Sequence, residues 1–306
     1  MIIVSDGVIS QELVAKAGAI LLKTAATRFP DFYIKVIEDH LKKERHPGAK
    51  ARLKRMIEAI RCSHEEGRPI CQDTGIPLYF VTIGEYARVR GDINAALNLG
   101  TEKATKETPL RENVVHPLTC QNPGTNVGWG MPYVVYDFKP GADYIEIKAV
   151  ARGDGEDMPT TIVRMPSTGP RLQNIKKGIL EVIYNSRWAC PPHVIGICIG
   201  ANVTIATHIA LKATFRIPTG ARSTDPMTAQ LEEELLNAIN SLGIGPGALG
   251  GDTTALAVHV ELAGCHTISP ALVVAPGCWT TGRFAVGRLY NDGRFEGLTH
   301  PDIQVT

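Results

Sequence analysis

Three helical segments in succession, before any strand, most constrain what this chain can fold into. Between residues 10 and 28 the apolar side chains recur at helical spacing, and Ser10 can cap the first turn. Proline and glycine breaks then separate a second helix, predicted at 31–45, from a third at 49–66. The first fifth of the chain, residues 1–66, is therefore predicted to form a helical layer.

Helices and strands alternate along the rest of the chain. Apolar runs predict strands, longer periodic stretches predict helices, and loops rich in proline and glycine separate them. The predicted strands are 77–84, 132–139, 144–151, 193–199 and 255–262, and the predicted helices are 92–107, 170–187, 201–215 and 226–242. The sequence has neither a regular βαβ period nor an internal repeat. We therefore predict a mixed α/β fold, in which the N-terminal helical layer packs on a mixed sheet within a single large domain, 1–306.

Charge and hydropathy argue against two broad classes of function. The 32 basic and 31 acidic residues leave a net charge of +1, and the one basic cluster, within 42–55, is interrupted by acids. Proteins that bind nucleic acid through its phosphates usually carry a basic excess or a dense basic stripe. No apolar run approaches the roughly 18 residues that span a bilayer, and the N-terminal segment has no leader pattern. We therefore expect a cytoplasmic protein that binds neither nucleic acid nor membrane.

The seven cysteines differ in their local sequence. Their odd number, the missing export signal and the absence of a C-x-x-C pair argue against a disulfide framework. Cys71, Cys190 and Cys278 each lie in a turn built from proline or glycine at the edge of an apolar segment. Such turns can hold a thiolate at a fixed point, and the residues alone leave metal ligation and simple packing both open. Cys62 and Cys198, inside a predicted helix and strand, are expected to pack as small buried residues.

Polar residues near these turns are candidates for substrate contact. Gln72 and Asp73 directly follow Cys71, and such a pair can orient a polar substrate or move a proton. The alternative for Asp73 is an Asx turn, in which the carboxylate binds its own backbone. Arg111 lies in a polar loop and can bind both oxygens of a carboxylate, or simply face solvent. The loop at 152–156 offers backbone N–H groups to an anion, or is a flexible turn.

Two further patterns indicate other chemistry. His259, Cys265, His266 and Cys278 can be written as a zinc set, although their spacing fits no standard zinc signature. The segment 245–250 matches G-x-G-x-x-G, but it follows a predicted helix and precedes a strand, the reverse of a dinucleotide site. We therefore interpret it as a tight connection where two backbone segments approach closely.

Several strings, taken together and in order, resemble one known family. They are CQDTG at 71–75, PLRENVVHP at 109–117, TNVG at 125–128, CPP at 190–192, the glycine-rich run 243–254, GCHT at 264–267 and CW at 278–279. They are similar to the α-subunit of class I fumarate hydratases and L(+)-tartrate dehydratases, the oxygen-sensitive iron–sulfur hydro-lyases. The resemblance extends over residues 10–290, nearly the whole chain.

The resemblance implies a cofactor and a set of site residues. In that family three cysteines hold a [4Fe–4S] cluster and leave one iron open to substrate. By motif position the ligands are Cys71, Cys190 and Cys278, so that 67–306 is the cluster-binding part. The implied catalytic residues are Asp73 and His266, and the implied substrate-binding residues are Gln72, Arg111, Gly153 and Gly155. The implied reaction is the reversible addition of water across the double bond of a small dicarboxylate.

The same resemblance implies a partner. Single-chain members carry a second, C-terminal domain that supplies further arginines, a lysine and the base, and this sequence ends at Thr306, after the first of the two. One placed arginine and no obvious base are too few to bind a dianion and remove a proton. We therefore expect a β-subunit that carries these groups, a heterotetrameric assembly, and a chain that is nearly inactive alone.

The chain departs from the family pattern at 152–157, at 196–202 and at 279–283, which affects the expected substrate more than the cluster. Hydration of fumarate to malate is the leading expectation, and dehydration of L(+)-tartrate to oxaloacetate is the close alternative. A zinc-dependent hydrolase and a homologue that binds without catalysis are alternatives of other classes.

Overall fold

The computed structural model describes residues 7–166, 168–268 and 270–305. The helices are α1 (Gln11–Thr27), α2 (Asp31–Lys43), α3 (Pro47–Glu66), α4 (Ile93–Glu107), α5 (Asp154–Asp157), α6 (Arg171–Asn185), α7 (Val203–Thr214) and α8 (Pro226–Asn240). The strands are β1 (Ile9–Ser10), β2 (Ile76–Gly84), β3 (Val89–Arg90), β4 (Tyr133–Lys139), β5 (Tyr144–Arg152), β6 (Thr161–Val163), β7 (His193–Ile199), β8 (Ala255–Leu262), β9 (Leu272–Pro276), β10 (Phe284–Tyr290) and β11 (Phe295–Gly297). The predicted mixed α/β class is confirmed. Within the described ranges, none of these helices is both long and apolar enough to cross a lipid bilayer.

Helices α1, α4, α7 and α8 begin where the sequence carries a capping side chain. Ser10 Oγ accepts the N–H of Leu13 at the start of α1, as predicted, and Asp92 caps α4 in the same way. Asn202 and Asp225 cap α7 and α8. Because these signals are local, each predicted helix is present close to its expected position.

The chain packs as two compact units. The first comprises Met1–Pro30, Ile60–Gly153 and Arg283–Thr306, and the second comprises Asp31–Ala59 and Asp154–Gly282. The three helices predicted for residues 1–66 are present, with α1 in the first unit and α2 in the second.

The first unit is built on a five-stranded sheet in the order β11-β10-β5-β2-β4. Helix α1 packs against α4 and against β5 and β10 over an apolar core. Strand β5 is antiparallel to both of its neighbours, with Ile76 opposite Arg152 and Phe284 opposite Val150. The segments that precede β2 and β10 and follow β5 therefore lie at the same edge of the sheet.

Strands β4 and β5 follow one another across the predicted turn at 140–143, but they are not paired. Strand β4 is parallel to β2 and β5 is antiparallel to it, on the opposite side. Gly84 ends β2 beside this turn, and a Cβ there would lie 2.5 Å from Ala142 O. A glycine is therefore required where the end of β2 passes between the two consecutive strands.

The second unit contains a four-stranded sheet in the order β6-β9-β7-β8. Helices α7 and α8 pack on it. Strand β7 is parallel to β8, with His193 opposite Ala255, and antiparallel to β9, with Ile195 opposite Pro276. The segments that precede β7 and β8 and follow β9 therefore meet at one edge of this sheet.

Candidate active site

The second unit joins the turns that carry Cys190 and Cys278. The Trp279 N–H donates to Cys190 O (3.1 Å), and the N–H of Gly247, in the loop before β8, donates to Pro191 O (2.7 Å). Cys190 is exposed and has a φ of +50°, a left-handed conformation that residues other than glycine seldom adopt. Two of the three predicted turn cysteines thus lie in neighbouring turns that backbone hydrogen bonds hold together.

The Cys278 sulfur lies among polar groups although the residue is buried. The Thr280 N–H donates to Sγ (3.3 Å), and the Thr280 hydroxyl lies 2.9 Å from Sγ. The thiol donates to Glu156 Oε1 (3.3 Å), which also accepts the Thr281 hydroxyl (3.1 Å). The Thr280 N–H favours the thiolate, the form that binds metal, whereas the Glu156 carboxylate favours the protonated thiol. The sulfur thus has polar partners, unlike that of a cysteine that only fills space.

His193 connects the same two turns. It is fully buried at the start of β7, and its Nδ1 lies 2.7 Å from Gly277 O. Because a carbonyl oxygen only accepts, Nδ1 carries the ring proton. Burial lowers the pKa of His193 to about 4, and the hydrogen bond to Gly277 offsets this only in part. The imidazole is therefore neutral near pH 7, with a fixed tautomer.

The glycine-rich run before β8 is anchored by Glu44, which is 1% exposed. Its carboxylate accepts the Asp252 N–H (3.0 Å) and the Thr253 hydroxyl (2.7 Å), as well as the His46 N–H (3.0 Å). Burial alone would raise the pKa of Glu44, but these hydrogen bonds outweigh it and hold the pKa below its ordinary value. A Cβ on Gly245 would overlap the backbone of residues 250 and 251, so the predicted close approach of two backbone segments is confirmed.

The first unit assembles a second group of residues around Asp73. Its Oδ1 accepts the Gly75 N–H (3.0 Å), which forms the Asx turn, and Asn113 Nδ2 (3.2 Å). Arg283, only 2% exposed, donates from Nη1 to the Asp73 carbonyl oxygen (2.6 Å). A Cβ on Gly153 would lie 2.8 Å from both Asp73 Oδ2 and Arg283 Nη2, so this close approach requires glycine. The turn thus has a defined carboxylate at the sheet edge.

Hydrogen bonds from the buried side chain of Asn126 hold the backbone of the loop that carries Arg111. Asn126 is 1% exposed and adopts a φ of +58°. Its Oδ1 accepts the N–H groups of Asn113 (2.8 Å) and Val114 (3.2 Å), and its Nδ2 donates to Arg111 O (3.1 Å). The Arg111 N–H also donates to Thr74 Oγ1 (2.9 Å). The backbone of this loop is therefore fixed, while Arg111 itself is exposed.

The other predicted site residues lie in more open positions. Cys71 is half-buried in the turn before β2, and Gln72 is exposed. His266 lies in the exposed loop after β8, where its Nδ1 accepts the Ile268 N–H (3.3 Å). Gly155 has no described atom within 4 Å of a Cβ position. These residues are therefore accessible, and their roles stay predictions.

The hydrogen bonds of His259 argue against the zinc site of the alternative hydrolase. His259 Nδ1 is bonded to Ala213 O (2.8 Å) and its Nε2 accepts the Gly220 N–H (3.0 Å), so both ring nitrogens are used. Burial, together with the charge of Arg216, lowers the pKa of His259 to about 3. Among the residues that the structure describes, no three His, Cys, Asp or Glu side chains are placed to hold a metal ion. A single ion needs its ligands at one point, whereas each cysteine of a four-iron cluster binds a different iron.

One packing prediction is confirmed and one is wrong. Cys198 is fully buried in β7. Cys62 is exposed on α3 and its thiol donates to Glu66 Oε1 (3.3 Å). The buried stripe of α3 includes Leu53 and Ile60, and Cys62 falls outside it.

Sequence reasoning missed three residues that shape these turns: Arg283, Asn126 and Glu156. Asn126 lies in the TNVG string, where an asparagine before a glycine-containing turn is a usable signal for a left-handed residue. Arg283 and Glu156 carry no local signal, because each contacts a residue far away along the chain.

Comparisons with known proteins identify a matching family and similar chains. A family model described as fumarate hydratase (Fumerase) matches residues 15–286. A protein of Methanocaldococcus jannaschii, provisionally named L(+)-tartrate dehydratase subunit alpha, is 41% identical over 285 residues, which cover 90% of this chain and 96% of its own. The L(+)-tartrate dehydratase subunit alpha of Escherichia coli K12 is 33% identical over 291 residues, which cover 94% of this chain and 93% of its own.

Proposed function

Because this chain belongs to the fumarate hydratase family, we propose that it is the α-subunit of a hydro-lyase that reversibly hydrates fumarate to malate. The observation that carries the proposal is the pairing of the Cys190 and Cys278 turns, which lie far apart in the sequence. A hydrogen-bonded pair of turns that each carry a cysteine, with an N–H donor on one sulfur, supports an iron–sulfur ligand set.

The proposed cofactor is a [4Fe–4S] cluster held by Cys71, Cys190 and Cys278. All three cysteines lie in irregular turns, and soft thiolates are the usual ligands of such clusters. The donors around the Cys278 sulfur support this fit. When bound, a cluster with only three protein ligands supplies a Lewis-acidic iron for the hydroxyl and a carboxylate of the substrate.

The chain's own polar residues would bind and orient the dicarboxylate. The exposed Arg111 guanidinium can bind both oxygens of one carboxylate, and Asn126 fixes the backbone of its loop. The Asp73 carboxylate is oriented by two N–H donors, so it can hold the substrate hydroxyl or move a proton. Further proposed contacts come from Gln72, His266 and the backbone of Gly153 and Gly155.

A β-subunit is proposed to supply the remaining positive charges and the base. Arg283 is not proposed for that role, because its side chain is buried and one nitrogen already donates to the Asp73 carbonyl oxygen. The relatives named above are called subunit alpha, which supports a partner chain. We propose a cytoplasmic heterotetramer in which this chain alone is nearly inactive.

A second candidate, the dehydration of L(+)-tartrate to oxaloacetate, has the support of the relatives' names. Malate and L(+)-tartrate share two carboxylates and a hydroxyl next to one of them, and L(+)-tartrate has one more hydroxyl. Activity of the complex with its co-expressed partner, without oxygen, on fumarate, malate, L(+)-tartrate and mesaconate separates the two candidates by their ratio of kcat/KM.

Anaerobic purification tests the cofactor. We expect a brown protein with about four irons and four sulfides per chain. C71S, C190S and C278S should each lose the cluster, whereas C120S and C265S, which alter exposed cysteines in the same two units, should keep it. A colourless protein that holds one zinc would instead support the hydrolase, and a metal-free protein that binds dicarboxylates would support the non-catalytic homologue.

A further inference from the structure

His193 occupies a position that the proposed function does not use. It follows the Cys190 turn by three residues and opens β7, and its side chain is fully buried. Its Nδ1–H donates to the carbonyl oxygen of Gly277 (2.7 Å). Gly277 is the residue directly before Cys278. One side chain thus bridges the segments that carry two proposed ligands.

The bridge belongs to a short ladder between the two turns. The Gly277 N–H donates to Val194 O (2.8 Å), and the Trp279 N–H donates to Cys190 O (3.1 Å). The His193 N–H itself donates to Thr254 O (2.9 Å), which ties in the glycine loop before β8. Of these bonds, only the one from the imidazole depends on a side chain, so only this bond can be altered by substitution.

We propose that His193 is a positioning residue whose Nδ1–H fixes the spacing of the Cys190 and Cys278 turns and so controls how firmly the iron–sulfur cluster is held. This inference rests on the proposed function. Groups that orient metal ligands from the outer shell typically change metal affinity or activity by about 10–100-fold when they are replaced.

Two amide substitutions separate the proposed bond from simple packing. In H193N the side-chain amide nitrogen can take the place of Nδ1 and donate to Gly277 O. In H193Q the amide lies near the position of Nε2, an atom that has no hydrogen-bond partner among the residues described. Only the first variant preserves the bond to Gly277, although it leaves the larger void.

The measurement is the rate at which anaerobically purified holoprotein releases iron to a chelator, followed by the visible absorbance of the cluster, together with iron and sulfide content. We expect H193N to release iron as the wild type does, and H193Q to release it about 10–100 times faster. If H193Q yields no folded protein, H193S takes its place, because its short hydroxyl does not reach Gly277 O.

H259N and H259Q are the matched controls. His259 is also fully buried, and its Nδ1 also bonds to a backbone carbonyl, that of Ala213 (2.8 Å). Both control variants should lower the melting temperature without changing iron release.

Equal iron release from H193Q and the wild type would overturn the inference, as would equal acceleration in H193N and H193Q, since that pattern indicates a packing role. A wild-type protein without inorganic sulfide would instead refute the proposed function.

Discussion

Replacing Asn126 tests whether the Arg111 loop owes its shape to one buried amide. In N126G the backbone keeps its φ of +58° without strain, because glycine adopts this region freely. The substitution therefore removes the side-chain hydrogen bonds without straining the backbone, while glycine also raises the entropy of the unfolded chain. Two backbone N–H groups, of Asn113 and Val114, lose their partner, while the Arg111 carbonyl oxygen and the Thr105 hydroxyl each lose one of theirs.

The expected loss in the free energy of unfolding follows from the burial of those groups. An unsatisfied buried polar group costs about 1–3 kcal/mol, but the exposed and half-buried positions can be rehydrated. Val114 is buried, Asn113 is half-buried and Arg111 is exposed. We therefore expect N126G to lower the free energy of unfolding by about 3 kcal/mol, a large part of the usual 5–15 kcal/mol.

Urea denaturation of the purified chain measures this loss, and hydrogen exchange of the amides of residues 113 and 114 locates it. The matched control is N122G. Asn122 lies in the same loop and also makes two side-chain bonds, to Glu112 O and from the Gly124 N–H, but it is exposed. N122G should change stability by less than about 0.5 kcal/mol.

Equal stability of N126G and the wild type, or an equal loss in N122G, would refute this reasoning.

A second variant, N126D, predicts how the loss of stability should change with pH. N126D keeps the accepting oxygen but sets a carboxylate against the Arg111 carbonyl oxygen, so protonation should relieve the repulsion. Its deficit relative to the wild type should therefore shrink as the pH falls, and a constant deficit contradicts the assigned donor.

Three further outcomes are expected. G153A places a methyl 2.8 Å from Asp73 Oδ2 and from Arg283 Nη2, so the KM of the complex should rise at least tenfold (~1.4 kcal/mol). The control G155A should change the KM little, because no described atom lies within 4 Å of its methyl. Equal effects of the two substitutions contradict the close approach at Gly153. E44Q should lower stability by about 2 kcal/mol in urea denaturation, because an amide oxygen replaces a carboxylate that accepts four donors, and an unchanged midpoint contradicts this. The folded pKa values of His193 (about 4) and His259 (about 3) lie below the ordinary 6.5, so the unfolded chain binds protons at a higher pH than the folded chain does. The free energy of unfolding should therefore fall as the pH drops below about 6.5, by on the order of 3 kcal/mol per histidine near pH 4. A pH profile of stability that H259N leaves unchanged contradicts this.

The fold was predictable as far as local signals determine it. Ser10 and Asp92 fix helix starts by their own side chains, so sequence alone locates α1 and α4. The order of strands depends on contacts between distant segments, and the turn at 140–143 favours a hairpin that does not form. The burial of Cys62 was mispredicted because it rested on the usual burial of cysteine, although the apolar spacing of α3 leaves that position outside the buried stripe.

The candidate site was predictable where turn chemistry marks it. Proline and glycine locate the turns of Cys190 and Cys278, and the Asx turn at Asp73 follows from its sequence. The groups that hold these turns carry no such signal. Glu156 contacts a residue 122 positions away, and Arg283 contacts one 210 positions away, so only the folded chain identifies them.

Sheet register explains how such distant residues come together within each unit. Where two neighbouring strands are antiparallel, the residue before one strand lies beside the residue after the other, whatever the length of chain between them. In the first unit this brings Gly153, after β5, to the segments before β2 and β10, and in the second it brings the Cys278 turn, after β9, to the Cys190 turn, before β7. Turn residues at strand ends are therefore the sequence signal to search for. The spacing between motifs carries less information, because insertions within helices and remote loops leave the register of the strand ends unchanged.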